Sequence, residues 1–193
     1  PLVADMSSEI LSRPIDVNKF GVIYAGAQKN MGPSGVTLVI IRKDIAEQAP
    51  TDIPGIFRYQ THIDNDSMFN TPPCFSVYLL MLVTRWLKAQ GGVDGMEKIN
   101  IAKANKLYEA IDATDFYTGA AHVDHRSLMN ITFNLPNEDL EAAFAKEADA
   151  EGLKGLKGHR SVGGLRASIY NAFPPEGVDK LVDFMQTFEN ANT

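Results

Sequence analysis

Two apolar runs, Phe20–Ala25 and Val36–Ile41, bracket a stretch of turn formers, Gly26-Ala27-Gln28-Lys29-Asn30-Met31-Gly32-Pro33-Ser34-Gly35. Runs that are apolar along their whole length suit strands of a sheet covered on both faces, the arrangement of α/β proteins, better than a sheet with one wet side. A third run, Leu2–Ala4, stops at Asp5 and leads through Ser7 and Ser8 into what reads as a helical turn at Glu9-Ile10-Leu11. The pattern places Asp5 at the end of one strand and Lys29 in the turn that follows the next.

Further along, residues 44–71 are irregular and polar, spaced by Pro50, Pro54 and Gly55, and read as one long loop. Pro72 and Pro73 suit the first turn of a helix that continues through Val77, Leu80, Met81, Thr84 and Leu87 and ends at Gly91-Gly92. Its apolar content predicts a well-buried helix, with Tyr78, Leu82 and Trp86 in the core and Cys74 partly covered. A second, more amphipathic helix is expected over residues 94–116. Beyond it Met129–Leu135 alternates with period two, residues 139–151 read as a helix, 166–170 as a strand and 175–190 as a closing helix. Strand, helix, strand, helix makes an α/β unit of its own, so two domains are expected, 1–92 and 93–193, joined by a helix and not by a Gly/Ser linker.

With 193 residues, 45% of them apolar, the chain has material for a real core. Eighteen Lys+Arg against 24 Asp+Glu give a formal charge of -6, which argues against nucleic acid or an anionic membrane as the partner. The longest apolar stretch, Cys74–Val83, is too short and too soon followed by Arg85 and Lys88 to span a bilayer. One cysteine cannot close an intrachain disulfide and no Cys/His cluster has zinc-site spacing, so a reducing cytoplasm is the expected compartment and no metal site is expected. The opening Pro1-Leu2-Val3-Ala4-Asp5 lacks both a secretory signal and an initiator Met, and reads as an internal segment of something longer or as a processed product.

The Gly26–Gly35 turn allows close backbone approach to a ligand and leaves one amine, Lys29, projecting from it. A lysine at a strand end can act as a nucleophile toward a carbonyl; the plainer alternative is a surface turn with a solvated lysine. The Lys does not follow the last Gly and precede Ser/Thr, so this is no nucleotide phosphate loop. An acid closing one strand and a lysine just past the next are what pyridoxal phosphate requires, although Asp5 could equally cap the turn that follows it. A third constellation, His159-Arg160 and Arg166, flanks Gly163-Gly164; two arginines there can converge on one dianionic or dicarboxylate ligand, or form a solvated basic loop with Lys154 and Lys157. His62, His122 and His125 read as solvated surface residues, and the pair Asn70-Thr71 could be an ordinary helix cap.

Val3-Ala4-Asp5-Met6-Ser7-Ser8, Ser12-Arg13-Pro14, Tyr24-Ala25-Gly26-Ala27-Gln28-Lys29-Asn30, Phe69-Asn70-Thr71-Pro72-Pro73 and the segment from His159 to Ala172 together resemble the phosphoserine aminotransferase family, within the class V pyridoxal phosphate-dependent aminotransferases. The resemblance runs from the first residue to the last. It implies a fold-type I α/β architecture, with the end of the large mixed-sheet domain followed by the small α/β domain. Chains of that family are roughly twice as long, and their opening half, which carries an aromatic residue stacked on the cofactor ring and several phosphate donors, has no counterpart here.

Carried onto this chain, the resemblance implies that Lys29 forms the Schiff base with pyridoxal 5'-phosphate, that Asp5 partners the pyridinium nitrogen and that Gln28 contacts the cofactor. It implies that Asn70 and Thr71 reach the cofactor phosphate of a neighbouring subunit, which makes the enzyme a homodimer with shared sites. Arg166 becomes the clamp for the substrate α-carboxylate, with His159 and Arg160 helping at the substrate's phosphate or side-chain acid. The implied reaction is reversible amino transfer between glutamate and 3-phosphonooxypyruvate, giving O-phosphoserine and 2-oxoglutarate for serine synthesis, with a related step in pyridoxine synthesis. Two alternatives stay open: a lyase, desulfurase or different aminotransferase on the same fold, and a fragment that is inactive without its amino-terminal half.

Overall fold

The computed structural model describes residues 1–193, which divide into two compact units, Pro1–Val93 and Asp94–Thr193. The first holds a three-stranded mixed sheet of β1 (Val3–Asp5), β2 (Val22–Gly26) and β3 (Thr37–Ile41), in that spatial order. β1 runs parallel to β2 with Asp5 opposite Tyr24, and β3 runs antiparallel to β2 with Gly26 opposite Thr37. Because β1 and β2 are parallel, both end at the same edge of the sheet, and the turns leaving them lie side by side. Ile23 and Ala25 are buried there against Met6, Ile10, Ala27 and Met31, which fastens those turns to the sheet. The expected turn at Glu9 is a single α-type turn, with the Ile10 N–H donating to the Met6 carbonyl at 2.7 Å, and it stops at Leu11 with φ 62°.

The segment expected as one long loop is instead broken by α1 (Lys43–Glu47), a 3-10 turn at Gly55–Phe57 and α2 (Tyr59–Asp64). Helices this short complete barely more than one turn, too little for a 3.6-residue period to show in sequence. Pro72 and Pro73 precede α3 (Cys74–Ala89) and do not enter it. The expected burial of α3 does not hold in this chain. Leu87 is its one buried residue, whereas Phe75 is 72% exposed and Tyr78 53%, and Leu82, Trp86 and Cys74 are exposed as well. A helix apolar around most of its circumference needs neighbours on several sides, and this unit packs little more than its Leu80 side.

In the second unit, β4 (Thr118–Gly119), β5 (Asn130–Asn134) and β6 (Leu165–Ser168) form an antiparallel sheet in that order, with all but the first two residues of α4 (Gly92–Asp112), with α5 (Glu138–Ala150) and with α6 (Pro175–Asn192). Period two sorts the strands into faces. Ile131, Phe133, Leu165 and Ala167 are buried in one core with Leu107 and Ile111 of α4, Phe144 of α5 and Val178, Met185 and Phe188 of α6. The opposite face presents Asn130, Thr132, Arg166 and Ser168, with Thr132 paired to Arg166. Edge-to-face contacts of Phe144 with Phe133 and Tyr117, at 6.0 and 6.2 Å, fill the centre of the core. No helix is long and apolar enough to cross a membrane.

Candidate active site

Parallel strands leave a crevice beyond their carboxyl ends, the usual place for a ligand in an α/β sheet. Here that edge carries Asp5 on β1 and, after β2, the Gly26–Asn30 turn. Asp5 Oδ1 accepts from the Ser7 N–H at 2.9 Å, so the capping alternative is realised as an Asx-type turn. Hydrogen bonds from Ser7, aided by the positive charge of Lys29 and by Tyr24, hold the Asp5 carboxyl below the usual carboxylate range. The same acid therefore shapes its turn and stays ionised, as a partner for a protonated ring nitrogen must.

Lys29 Nζ donates to Ser8 Oγ at 2.6 Å. Three further bonds tie the two turns together. The Gly26 N–H donates to Ser7 Oγ at 2.9 Å, and Asn30, only 4% exposed, donates from Nδ2 to the carbonyls of Ser8 and Ile10 at 3.3 and 3.1 Å. Gln28 is exposed and folds its amide back over Gly26, where a Cβ would stand 2.4 Å from Oε1. A side chain at position 26 would displace that amide. Sequence reasoning singled out Asp5, Gln28 and Lys29 but assigned no role to Ser7, Ser8, Tyr24 or Asn30; the signal available was the serine pair directly after an acid that ends a strand.

Asn70 and Thr71 lie between α2 and α3, both exposed, and the Asn70 amide donates to the Thr71 carbonyl at 3.2 Å. They do not cap α3, whose N-cap is Pro73 with no side-chain hydrogen bond. His62 is less solvated than expected: Nε2 lies 3.0 Å from the Ile56 carbonyl oxygen and the ring stands edge-on to Phe69. His122 and His125 are exposed, and no group of His, Cys, Asp and Glu is placed to hold a metal.

In the second unit His159 and Arg160 project from a loop closed on itself by Gly158 N–H to the Gly164 carbonyl and Gly163 N–H to the His159 carbonyl, each at 2.8 Å. Both side chains line a cleft of about 690 Å³ together with Asn134, Glu141 and Lys157. Arg166 lies outside that lining. It stands on the polar face of β6, and its Nε is buried with no hydrogen-bond partner. A guanidinium N–H in that condition suits an anionic oxygen, because a buried donor left unmatched costs about 1–3 kcal/mol.

The class V aminotransferase family model matches residues 1–181. The chain is 59% identical, over all its length, to a phosphoserine aminotransferase of Desulfatibacillum aliphaticivorans, of which it covers 54%. It superposes with TM-score 0.97 and 52% identity on a phosphoserine aminotransferase from Bacillus circulans subsp. alkalophilus, covering 100% of this chain and 54% of that one. For the pyridoxal phosphate-bound phosphoserine aminotransferase of Trichomonas vaginalis the TM-score is 0.91 at 42% identity, covering 96% of this chain and 53% of that one. The chain thus spans about half the length of the curated relatives it matches. Its α/β fold is the fold of those enzymes, and the chain belongs to the class V aminotransferases.

Proposed function

We propose that this chain is the carboxyl-terminal half of a phosphoserine aminotransferase, acting on glutamate and 3-phosphonooxypyruvate in serine synthesis and on the related phosphorylated substrate in pyridoxine synthesis. Residues 1–92 would be the end of the large cofactor domain, and 93–193 the connecting helix and small domain. The observation that carries the reading is that an ionised Asp5 and the Lys29 amine lie together beyond the shared carboxyl edge of two parallel strands. The residues present fit pyridoxal phosphate: Asp5 would partner its ring nitrogen, Lys29 would be the covalent tether, and Gln28, whose amide lies over Gly26, would contact it.

Bound there, pyridoxal phosphate supplies the electron sink that lets an α-proton leave an amino acid. Lys29 Nζ takes up the proton that leaves the substrate α-carbon and is the group that returns it. Asp5 keeps a negative charge where positive charge must persist. Arg166 Nε, buried and unmatched, would orient the substrate by its α-carboxylate, with His159 and Arg160 at its phosphate. Asn70 and Thr71, exposed between two helices, would serve the cofactor phosphate of a second copy, making a homodimer. The apolar surface left by Phe75, Tyr78, Leu82 and Trp86 suits cover by an amino-terminal half. The single cysteine fits a cytoplasmic enzyme.

The test uses the full polypeptide with added cofactor. Glutamate-dependent amino transfer to 3-phosphonooxypyruvate is expected, and borohydride reduction should leave the cofactor on Lys29, located by peptide mass. Release of ammonia, alanine or sulfur in place of amino transfer, or a tag on a different lysine, overturns the reading.

A further inference from the structure

We propose that Ser8 is a positioning residue of this site, its hydroxyl holding the Lys29 amine in place whenever that amine is not covalently engaged. The inference deepens the aminotransferase reading and rests on it. Lys29 must act twice in such a reaction, first as a tether and then as a free amine that carries a proton. A free lysine has four side-chain torsions and, unless something receives it, drifts from the place where the proton is exchanged.

Ser8 is built to receive it. Its Oγ lies 2.6 Å from Nζ, and its backbone is held by bonds separate from that contact. The buried amide of Asn30, the residue after the lysine, donates to the carbonyls of Ser8 and Ile10 on either side of the turn's apex. Ser7 accepts from the Gly26 N–H, and the Ser7 N–H is held by Asp5. The Ser8 backbone is therefore tied to the two ends of the turn that carries Lys29, so that one staggered rotamer of its side chain sets Oγ against Nζ. A hydroxyl both donates and accepts, so it receives Nζ as an ammonium, by accepting, or as a free amine, by donating to its lone pair. Ser7 Oγ is engaged elsewhere, accepting from the Gly26 N–H and bonding to the Asp5 carboxyl, and Ser8 Oγ is the hydroxyl at Nζ. Preorganisation of this kind lowers the barrier through position and not through binding.

Ser8→Ala and Ser8→Thr in the full polypeptide test the proposal, alanine removing the hydroxyl and threonine keeping it. In the aminotransferase assay, Ser8→Ala should lower kcat by roughly tenfold or more, a modest share of what positioned proton transfer contributes. KM for both substrates should stay within about twofold, since no substrate contact is lost, and threonine should recover most of the loss. A second readout needs no turnover. In cofactor-free protein, reductive methylation of Lys29 with formaldehyde, scored by peptide mass against Lys43 of the same chain, should become several-fold faster in Ser8→Ala and stay near the parent rate in Ser8→Thr. Unchanged kcat with unchanged labelling overturns the proposal, as does a threonine variant no better than alanine in either measurement. If the parent protein transfers no amino group, the aminotransferase reading fails, while the labelling ratio still decides whether Ser8 holds the amine.

Discussion

Lys103 of α4 donates from Nζ to the Tyr170 carbonyl at 2.8 Å, and also to the carbonyls of Ile169 and Phe173 at 3.0 and 3.2 Å. The residue is 2% exposed, and these three partners are all backbone carbonyls. Its ammonium ties the chain leaving β6 to α4, next to the strand that carries Arg166, and Asn100 Nδ2 donates to Asn171 Oδ1 at 2.9 Å. Burial pulls the Lys103 pKa from 10.5 down to about 8. The folded protein thus gives up this proton at lower pH than the unfolded chain does. Between about 8 and 10.5 the unfolded state holds more protons, so this group makes stability rise with pH, by at most about 3 kcal/mol. The three carbonyls favour the charged form and reduce that gain. Urea midpoints at pH 7 and pH 9.5 should move upward with pH relative to Lys103→Met, in which this component vanishes. At pH 7 the same variant takes the Lys103 donor from three carbonyls, of which that of Tyr170 keeps the Phe173 N–H, and amide exchange at Ile169 should accelerate by an amount equivalent to about 1–3 kcal/mol.

Asp5→Asn separates charge from shape. Asparagine can still accept from the Ser7 N–H, so the turn and the position of Lys29 should persist. The negative charge is lost. Amino transfer should fall by at least about 100-fold, equivalent to about 3 kcal/mol of barrier, while borohydride still fixes the cofactor to Lys29. Steady-state kinetics with peptide mapping checks both halves of that statement.

How much of this was legible depended on the length of each pattern. β2 and β3 could be read because each is a run of β-branched and apolar residues closed by turn formers, and β5 because Asn130-Ile131-Thr132-Phe133-Asn134 alternates cleanly. α1 and α2 could not, since one turn has no period. α3 was read as a helix but misjudged in burial: apolar spacing says what a face requires, not whether this stretch of chain provides it. In the site, Asp5 and Lys29 stood out because strand ends are readable, whereas Ser8 and Asn30 act through contacts that exist only once β1 and β2 lie parallel. Lys103 was readable and missed. It falls in phase with Met96, Asn100, Leu107 and Ile111 along α4, all buried, and a lysine on the apolar stripe of a helix requires buried acceptors.

Arg126 grips Asp112 through two parallel bonds, Nη1 to Oδ2 at 2.6 Å and Nη2 to Oδ1 at 2.7 Å, and its guanidinium lies 4.5 Å from the centroid of the Tyr108 ring. The Tyr108 hydroxyl in turn donates to the Ser127 carbonyl at 2.9 Å. The cluster fastens the end of α4 to the segment entering β5. Arg126→Lys keeps the charge but loses the fork and the stacking, and should lower stability by about 1 kcal/mol, tempered because Asp112 is half exposed. The arginine holds the Asp112 carboxyl below its ordinary value of 3.8. Its contribution is therefore complete above pH 3.8 and is lost as the pH falls through the lower folded value, so parent and variant should converge in acid denaturation.

The loop bearing His159 and Arg160 owes its shape to two glycines that touch. A Cβ on Gly158 would stand 2.0 Å from the Gly163 carbonyl oxygen, and one on Gly164, at φ 65°, would stand 2.7 Å from Asn134 Nδ2 and 3.1 Å from the Phe133 carbonyl oxygen. The first collision is with backbone and cannot be relieved by a rotamer. Gly158→Ala must open the Gly158–Gly164 closure and displace His159 and Arg160. Arg166, whose own N–H is held by the Leu156 carbonyl at 2.7 Å, should stay on β6. If the loop serves the substrate's phosphate, the variant should raise KM for 3-phosphonooxypyruvate roughly tenfold or more, and kcat and cofactor attachment at Lys29 should change far less. Borohydride attachment of the cofactor at Lys29 distinguishes loss of distal-anion recognition from general damage: a raised KM with attachment unchanged supports the assignment, and attachment lost in parallel removes it.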